Sequence, residues 1–210
     1  MNLNLIQKRG GNLQESWNIK GHLVEFLEDE HIYLCDGVIL PSITQILNIK
    51  FGKKYDGISS EVLQRAAERG TKIHQAIENF ERFNINDLGS TELSNWKFLK
   101  KAHKFICIDN EVPIILFKDD EPVACGRLDL VLEEDGQVGL GDIKSTSTLD
   151  KDYLRYQLNL YRIGYQQCYG KNIEFLRGVH LRNDVRKYIP IPINVNVAIN
   201  LLNEYLQGVK

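Results

Sequence analysis

The chain has 210 residues, of which 43% are hydrophobic and 26% charged, the balance of a folded globular protein. The net charge of −2 gives no overall attraction to nucleic acid, although a local basic surface can supply phosphate contacts whatever the total. No apolar run approaches the ~20 residues of a membrane helix, and segment 1–31 lacks the apolar core of a signal peptide. We expect a cytoplasmic protein, bacterial or phage-encoded, with no membrane partner.

Four cysteines occur in the sequence, and none forms a CxxC pair. They are Cys35, Cys107, Cys125 and Cys168. Scattered cysteines in a cytosolic chain usually serve as small buried apolar residues. Because the spacing is not that of an iron–sulfur ligand set, no such cluster is expected.

The first third of the chain predicts a hairpin and two helices. His22–Leu27 and segment 31–34 flank Glu28, Asp29 and Glu30 and are typical of a hairpin. Ser42 suits the N-cap of a short helix, and Ser59 or Ser60 suits that of a long helix ending near Arg82. The predicted buried face of the long helix consists of Leu63, Ala66, Ala67, Gly70, Ile73, Ile77 and Phe80.

The remaining pattern is a helix, a meander, a second helix and two more strands. A helix is predicted over about 91–108, followed by strands over 114–117, 123–132 and 138–143, with Pro113 just before the first of them. A helix over about 149–169 ends at Gly170, strands over 175–181 and 185–191 turn at Asn183 and Asp184, and a helix closes the chain.

This order predicts an α/β fold, a mixed central β-sheet flanked by helices with an N-terminal hairpin. No internal repeat or linker-like stretch divides the sequence. We therefore expect one domain over 1–210, with an N-terminal hairpin extension over 1–40 and a catalytic core over 59–192.

Asp135 and Gly136 form a strong signal for a type I′ hairpin turn, which needs positive φ at both central residues. If they are the turn, Glu134 faces Gln137, and each residue pairs with the one equally far from the turn. Counting outward then predicts three pairs: Asp129 with Asp142, Arg127 with Lys144, and Leu128 with Ile143 on the opposite, core-facing side.

Two carboxylates placed directly opposite have Cβ atoms ~4.5–5.5 Å apart, and their like charges are destabilising. A divalent cation between Asp129 and Asp142 would relieve that repulsion, and Mg²⁺ prefers such oxygen ligands. Lys144 projects on the same face and suits an attacking water or a developing phosphate charge. The alternative is a solvated strand face on which these charges, with Arg127, neutralise one another.

These residues resemble a known family when taken in order. Asp129, the run Asp142-Ile143-Lys144 and the segment from Gln157 to Tyr161 resemble the motifs of the PD-(D/E)XK nuclease superfamily, and within it the RecB-type exonuclease branch of phage and mitochondrial exonucleases. The G-x-x-x-H element from Gly70 to His74 and the Pro41-Ser42-Ile43-Thr44 stretch are similar to further motifs of that branch. The resemblance spans about residues 38–192.

The resemblance implies a restriction-endonuclease-like fold and a set of site residues. It implies that His74, Asp129, Asp142 and the Ile143 carbonyl hold one or two Mg²⁺ or Mn²⁺ ions, with Lys144 as the catalytic lysine. It also implies that Gln157 and Tyr161 steady the site or touch DNA. Asp142 stands where the family commonly has glutamate, an allowed variant. Members with an iron–sulfur cluster carry a terminal cysteine group that this sequence lacks.

Two glutamates are further candidate site acids. Glu78 lies one helical turn after His74 and suits a residue that orients it, although such pairs are often surface features. Glu111 lies shortly before a predicted strand, and it is either an extra site acid or an exposed loop acid.

Basic residues on the second predicted helix offer a DNA-binding surface. Lys97, Lys100, Lys101 and Lys104 repeat at helical spacing as one stripe, which suits phosphate contacts but is equally typical of a solvated face. Arg127 is a further candidate DNA contact. A second basic candidate lies around the late hairpin: Arg182, Arg186 and Lys187.

The leading hypothesis is a Mg²⁺- or Mn²⁺-dependent deoxyribonuclease, an exonuclease of DNA recombination, repair or phage DNA processing. Its partners would be DNA and a recombination or replication protein. Two alternatives remain: a structure-selective or restriction-type endonuclease on the same fold, and a catalytically silent nucleic-acid-binding module.

Overall fold

The computed structural model describes residues 5–9, 12–28, 30–55 and 57–208, with side chains from residue 15 onward except residues 29, 55 and 56. Two five-stranded sheets dominate it. Among the described residues, no helix combines the length and apolar character that a membrane span requires.

The N-terminal sheet is an antiparallel meander in which each strand pairs with the next. Its strands are β1 Leu5–Arg9, β2 Asn12–Ile19, β3 His22–Leu27, β4 Ile32–Cys35 and β5 Val38–Leu40. The predicted hairpin is confirmed as β3 and β4, but it belongs to a five-stranded sheet rather than standing alone. Asp29, in its predicted turn, lies outside the described residues.

The central sheet has the strand order β10-β9-β8-β7-β6, with β8 and β9 parallel and the other neighbours antiparallel. Its strands are β6 Ile106–Lys118, β7 Glu121–Glu134, β8 Gln137–Lys144, β9 Phe175–Arg182 and β10 Val185–Ile191. The predicted mixed α/β architecture is confirmed.

Five helices flank this sheet, and side-chain caps mark several of their starts. They are α1 Ile43–Phe51, α2 Ser60–Phe83, α3 Thr91–His103, α4 Lys151–Tyr169 and α5 Val195–Gly208. Ser42 forms a capping box with Gln45 at the start of α1. Asp150 caps α4, which ends at Gly170 with a positive φ of 65°, as the sequence predicts.

The predicted boundary between the second long helix and the sheet is wrong. Helix α3 ends at His103, since Lys104 has a left-handed φ of 56°, and strand β6 already begins at Ile106. Pro113 therefore lies within β6 rather than just before a strand. This is tolerated because β6 is an edge strand of its sheet, where a missing N–H costs no ladder bond.

The predicted buried face of α2 is only partly correct. Ile73 and Ile77 are buried, whereas residues 61–68 are all exposed and Leu63 is 37% exposed. Helical periodicity identifies an apolar face, but it does not say how far along the helix that face meets a neighbour.

Apolar side chains pack on both faces of the central sheet. Helices α1, α4 and α5 cover one face, with Ile46, Leu158 and Leu201 in that core. Helices α2 and α3 cover the other face, with Ile77 and Trp96. Because α1 and α5 contribute to the core, the structural unit extends beyond the predicted range 59–192. The N-terminal sheet packs through its own cluster against Ile115 and Cys125.

Helix α4 approaches β6 closely at Gly164, where a Cβ would lie 2.4 Å from Ile114 Cδ1 and 3.2 Å from the Ile115 carbonyl oxygen. We expect Gly164→Ala to lower the free energy of unfolding by about 1 kcal/mol or more, because overpacking outweighs alanine's helix propensity. Urea denaturation measures the change.

Gly70→Ala is the matched control in α2. Its Cβ would meet only Ser145 Oγ, at 3.7 Å, an ordinary contact, so we expect a gain of up to about 1 kcal/mol. A stabilised Gly164→Ala variant would contradict the close approach of α4 to β6.

Candidate active site

The hairpin of β7 and β8 has the predicted turn, and close to the turn its strands also have the predicted register. Asp135 and Gly136 have φ of 48° and 79°, and Glu134 pairs with Gln137. The ladder continues in step as far as the pair Leu130 and Gly141.

Beyond that pair the backbone ladder stops, at the level of Asp129 and Asp142. Instead of a backbone acceptor, Asp129 Oδ2 accepts a hydrogen bond of 2.7 Å from the Ile143 N–H. By strand alternation Asp142 lies on the face of Leu140, which packs in the α1 and α4 core. The strands therefore part where the acids begin.

All three predicted pairs lie beyond the end of the ladder, and none of them forms a backbone pair, so the predicted register is wrong from Asp129 outward. Leu128 packs with the α1 and α4 core, whereas Ile143 packs on the opposite face of the sheet. The backbone of Arg127 pairs with Pro113 of β6. Its side chain pairs with Glu15 and Glu111, whereas Lys144 pairs with Asp142.

A third acid, Glu111, lies next to the two aspartates on the adjoining strand. The pairs Asn110 with Leu130 and Val112 with Leu128 bracket the position, so Glu111 of β6 lies opposite Asp129. Glu111 has a left-handed φ of 50°, which costs a non-glycine residue about 1–3 kcal/mol. Three neighbouring strands thus carry a row of carboxylates, an arrangement that like charges oppose.

His74 on α2 reaches this row through both ring nitrogens. Its Nδ1 lies 3.2 Å from Glu111 Oε1, and its Nε2 lies 3.3 Å from the Ile143 carbonyl oxygen and 3.7 Å from Asp129 Oδ2. Ligand atoms of His74, Glu111 and Asp129 lie within 4.8 Å of one another. The structure therefore brings together the predicted His74, Asp129 and Ile143 carbonyl, and adds Glu111 to them.

Arg127 and Glu15 hold Glu111 in place, and this arrangement was not predicted. Arg127 Nε lies 2.8 Å from Glu111 Oε2, its Nη1 lies 2.9 Å from Glu15 Oε1, and its guanidinium lies over the Phe26 ring. A carboxylate on one nitrogen of a histidine orients the other nitrogen toward a ligand. Glu111 therefore directs His74 Nε2 toward Asp129, while a DNA contact by Arg127 stays a prediction.

Asp142 and Lys144 form a buried ion pair with a Nζ–Oδ2 distance of 2.5 Å. Asp142 is only 1% exposed, and apart from this ion pair neither of its oxygens has a hydrogen-bond partner among the described residues. Burial lowers the pKa of Lys144, but the charges of Asp142 and Asp129 outweigh it and raise the pKa.

The acids and His74 also change each other's proton affinity. Burial lowers the pKa of His74, but Asp129 and Glu111 outweigh it and raise the pKa to about 9. Burial raises the pKa of Asp129 to about 7, opposed by His74 and helped by Asp142. Without a cation, His74 therefore carries a proton at neutral pH, and both of its nitrogens donate hydrogen bonds.

Gln157 and Tyr161 of α4 line a cleft of about 200 Å³ together with Asp129 and Glu111. Gln157 is 7% exposed, and its Oε1 is buried without a hydrogen-bond partner in the described structure. A second cleft, of about 620 Å³, contains His74 and Glu78. Glu78 lies 2.9 Å from Arg82, so it borders the site rather than facing Asp129 directly.

The predicted lysine stripe is largely engaged elsewhere. Lys100 pairs with Glu81 at 2.7 Å, Lys97 hydrogen-bonds Asn86 and lies over Phe80, and Lys104 is outside α3. The prediction of four lysines on one helix face is therefore wrong at Lys104. Lys101 is exposed.

The second basic candidate is likewise partly engaged. Arg182 donates to the Ser145 carbonyl, and Arg186 donates to Asn95 and lies over Phe98. Lys187 is exposed.

The residues present fit a hard divalent cation. Two aspartates, a backbone carbonyl and a histidine nitrogen are ligand types that Mg²⁺ and Mn²⁺ accept. Apart from the ion pair with Lys144, the buried oxygens of Asp142 have no hydrogen-bond partner in the described structure. These oxygens can therefore bind a cation. A second group, His22, Cys35 and Asp36, also lies close together, but Asp36 there accepts from His22 and from the Leu23 N–H, which accounts for it as a turn.

Comparisons with known proteins leave the activity open. No protein-family model and no curated protein matches the chain. Among solved structures, one described as "Crystal structure of SSO0001" is 15% identical in sequence and has a TM-score of 0.47. The match covers 80% of this chain and 76% of the other chain. Likeness at that level carries no argument about activity, which therefore rests on the side chains.

Binding of Mn²⁺ through His74 Nε2 requires a neutral imidazole, so it displaces a proton. Because the pKa of His74 is about 9, we expect the affinity for Mn²⁺ to rise between pH 6.5 and 9, by up to about tenfold per pH unit. Isothermal titration calorimetry at several pH values measures this.

The variant His74→Gln serves as the control. It should bind Mn²⁺ more weakly and with a smaller pH dependence than the unaltered protein. An affinity of the unaltered protein that does not change across this range would contradict the role of His74.

Proposed function

We propose that this protein is a Mg²⁺- or Mn²⁺-dependent deoxyribonuclease. The observation that carries the proposal is the buried pair of Asp142 and Lys144, placed beside Asp129 and His74 at the point where β7 and β8 part. The order of these residues also resembles the PD-(D/E)XK nucleases.

In this proposal Asp129, Asp142, the Ile143 carbonyl and His74 Nε2 hold the cation, with Glu111 orienting His74. When bound, the cation polarises a phosphoryl oxygen and stabilises the charge that develops at phosphorus. A second ion, with Glu78 or Glu111 among its ligands, is compatible with the same acids.

Lys144 acts as a positive charge rather than as a base. Its Nζ pairs with Asp142 Oδ2 at 2.5 Å, and this contact favours the protonated ammonium group. It therefore donates hydrogen bonds, to the attacking water or to a phosphate oxygen, and stabilises negative charge in a site of limited water access.

Gln157 and Tyr161 would contact the DNA backbone or sugar next to the cleaved bond. Their cleft adjoins Asp129, and the buried Gln157 Oε1 is an acceptor without a partner in the described structure. A buried polar atom in this position gains most from a ligand group that donates to it.

The proposed setting is the cytoplasm of a bacterium or of a phage-infected cell. There the enzyme would serve DNA recombination, repair or phage DNA processing, with a recombination or replication protein as a further partner.

Removing the charges of the buried pair tests the activity. We expect Asp142→Asn and Lys144→Ala to reduce digestion of labelled DNA with Mg²⁺ or Mn²⁺ by about 100-fold or more. The first loses a charged cation ligand, and the second loses the positive charge that stabilises the developing negative charge. Thermal melts confirm that the variants fold.

Lys118→Ala is the matched lysine control, because Lys118 contacts Asn203 on the exposed surface, and it should retain full activity. Full activity in Asp142→Asn and Lys144→Ala would refute the proposal. Absence of both DNA cleavage and Mn²⁺ binding in the unaltered protein would favour a silent binding module.

The form of the DNA distinguishes the two nuclease classes. We expect linear DNA to be degraded and covalently closed circular DNA to resist, because an exonuclease needs a strand end. Gel assays with equal amounts of the two forms measure this. Equal cutting of circular and linear DNA would identify an endonuclease instead.

A further inference from the structure

An aromatic and cationic surface lies beside Lys144, on the side of the site formed by α1 and α4. Lys144 Nζ lies 5.7 Å from the Tyr153 ring centroid. The Tyr153 ring contacts that of Phe51 at 5.2 Å, and Phe51 contacts Tyr156 at 5.5 Å. The three rings are half-buried and pack against the core beneath α1 and α4, so they form a continuous line of rings that begins at Lys144.

Three cations accompany these rings, and together the six residues are named the Phe51 surface: Lys50, Phe51, Lys54, Tyr153, Arg155 and Tyr156. Lys50 Nζ lies 5.2 Å from the Tyr156 ring centroid and 5.7 Å from that of Phe51. Arg155 lies 5.4 Å from the Tyr156 centroid. The surface therefore alternates π-faces with positive charge.

Two cations of this surface form ion pairs with partly exposed acids. Lys54 pairs with Asp150 at 2.6 Å and Arg155 with Asp152 at 2.5 Å. Lys54 is 45% and Asp150 28% exposed, whereas Arg155 is 34% and Asp152 50% exposed. Exposed ion pairs contribute about 0–1 kcal/mol, so a phosphate can replace Asp152 at little cost. Asp150 stays beside Lys54 because it also caps α4 by accepting from the Tyr153 N–H.

The opposite side of the site has the reverse charge. The cleft around His74 is lined by Glu15, Glu28, Glu78 and Glu111 against Arg82, Arg127 and a protonated His74, so four negative charges meet three positive ones. At the Phe51 surface three cations meet only two acids, Asp150 and Asp152. A phosphate backbone is repelled from an acidic cleft and attracted to a basic one. A strand bound at Lys144 is therefore directed over α1 and α4.

We propose that the Phe51 surface binds the single-stranded end of the DNA next to the cleaved bond. Unpaired bases stack on the rings of Tyr156 and Phe51 in place of Lys50 and Arg155, which lie over those ring faces without DNA. The displaced cations then contact phosphates together with Lys54. Stacking on aromatic side chains needs bases that are free of a partner strand, and it is tolerant of sequence. The role in feeding a strand to Lys144 rests on the proposed function, whereas the binding itself does not.

Fluorescence anisotropy of a labelled oligothymidylate in EDTA tests this without cleavage. We expect Tyr156→Leu, which keeps apolar bulk but removes the ring, to weaken binding about tenfold, and Tyr156→Phe to leave it unchanged. Lys50→Gln should weaken binding and reduce the slope of log affinity against log salt by about 0.7. Lys118→Gln, at an exposed lysine that contacts Asn203, should have no effect.

The same variants are measured on a blunt duplex, where Tyr156→Leu should have no effect. Equal losses on single-stranded and duplex DNA, or no loss on either, would overturn the proposal, as would a loss in Lys118→Gln alone. Thermal melts exclude unfolding, with Tyr156→Phe as the conservative rescue. Failure of the unaltered protein to cleave DNA would refute the nuclease proposal but not this binding site.

Discussion

Repulsion among carboxylates is the constraint that shapes this site. Glu111, Asp129 and Asp142 lie side by side on three neighbouring strands, and each is met by a different compensating group. Lys144 pairs with Asp142, and the Ile143 N–H donates to Asp129. Compensation of this kind only partly offsets the cost of burying charge. A divalent cation would offset more of it, which is why the geometry favours metal-dependent chemistry.

The fold supplies this arrangement by ending one ladder and bringing in two other elements. The strands β7 and β8 part after Leu130 and Gly141, so the Asp129 carboxylate, rather than a backbone carbonyl, accepts from the Ile143 N–H. Helix α2 brings His74, and the N-terminal sheet brings Glu15, which reaches Glu111 through Arg127. The N-terminal sheet, which the sequence predicts only as a hairpin extension, therefore contributes Glu15 to the surroundings of the site.

Short sequence motifs predicted the residues of the β7–β8 hairpin at the site. The contacts around them join residues that are far apart in sequence. The turn at Asp135 and Gly136 predicts its own register, because positive φ at both residues fixes the strand pairing. Glu111 was ambiguous because its strand was predicted to start too late, after Pro113. The partners of Arg127 lie far away in sequence, and no periodicity or spacing identifies such a contact. The lysine stripe was predicted from helical spacing, but Lys97 and Lys100 contact neighbouring side chains and Lys104 lies beyond the helix.

The most direct measurement of the central claim is the anomalous scattering of Mn²⁺ in crystals of the unaltered protein. The account predicts a peak within direct coordination distance of Asp129, Asp142 and the Ile143 carbonyl oxygen, with His74 Nε2 facing it. An absence of any peak among these groups at saturating Mn²⁺, or a peak only at His22, Cys35 and Asp36, would contradict it.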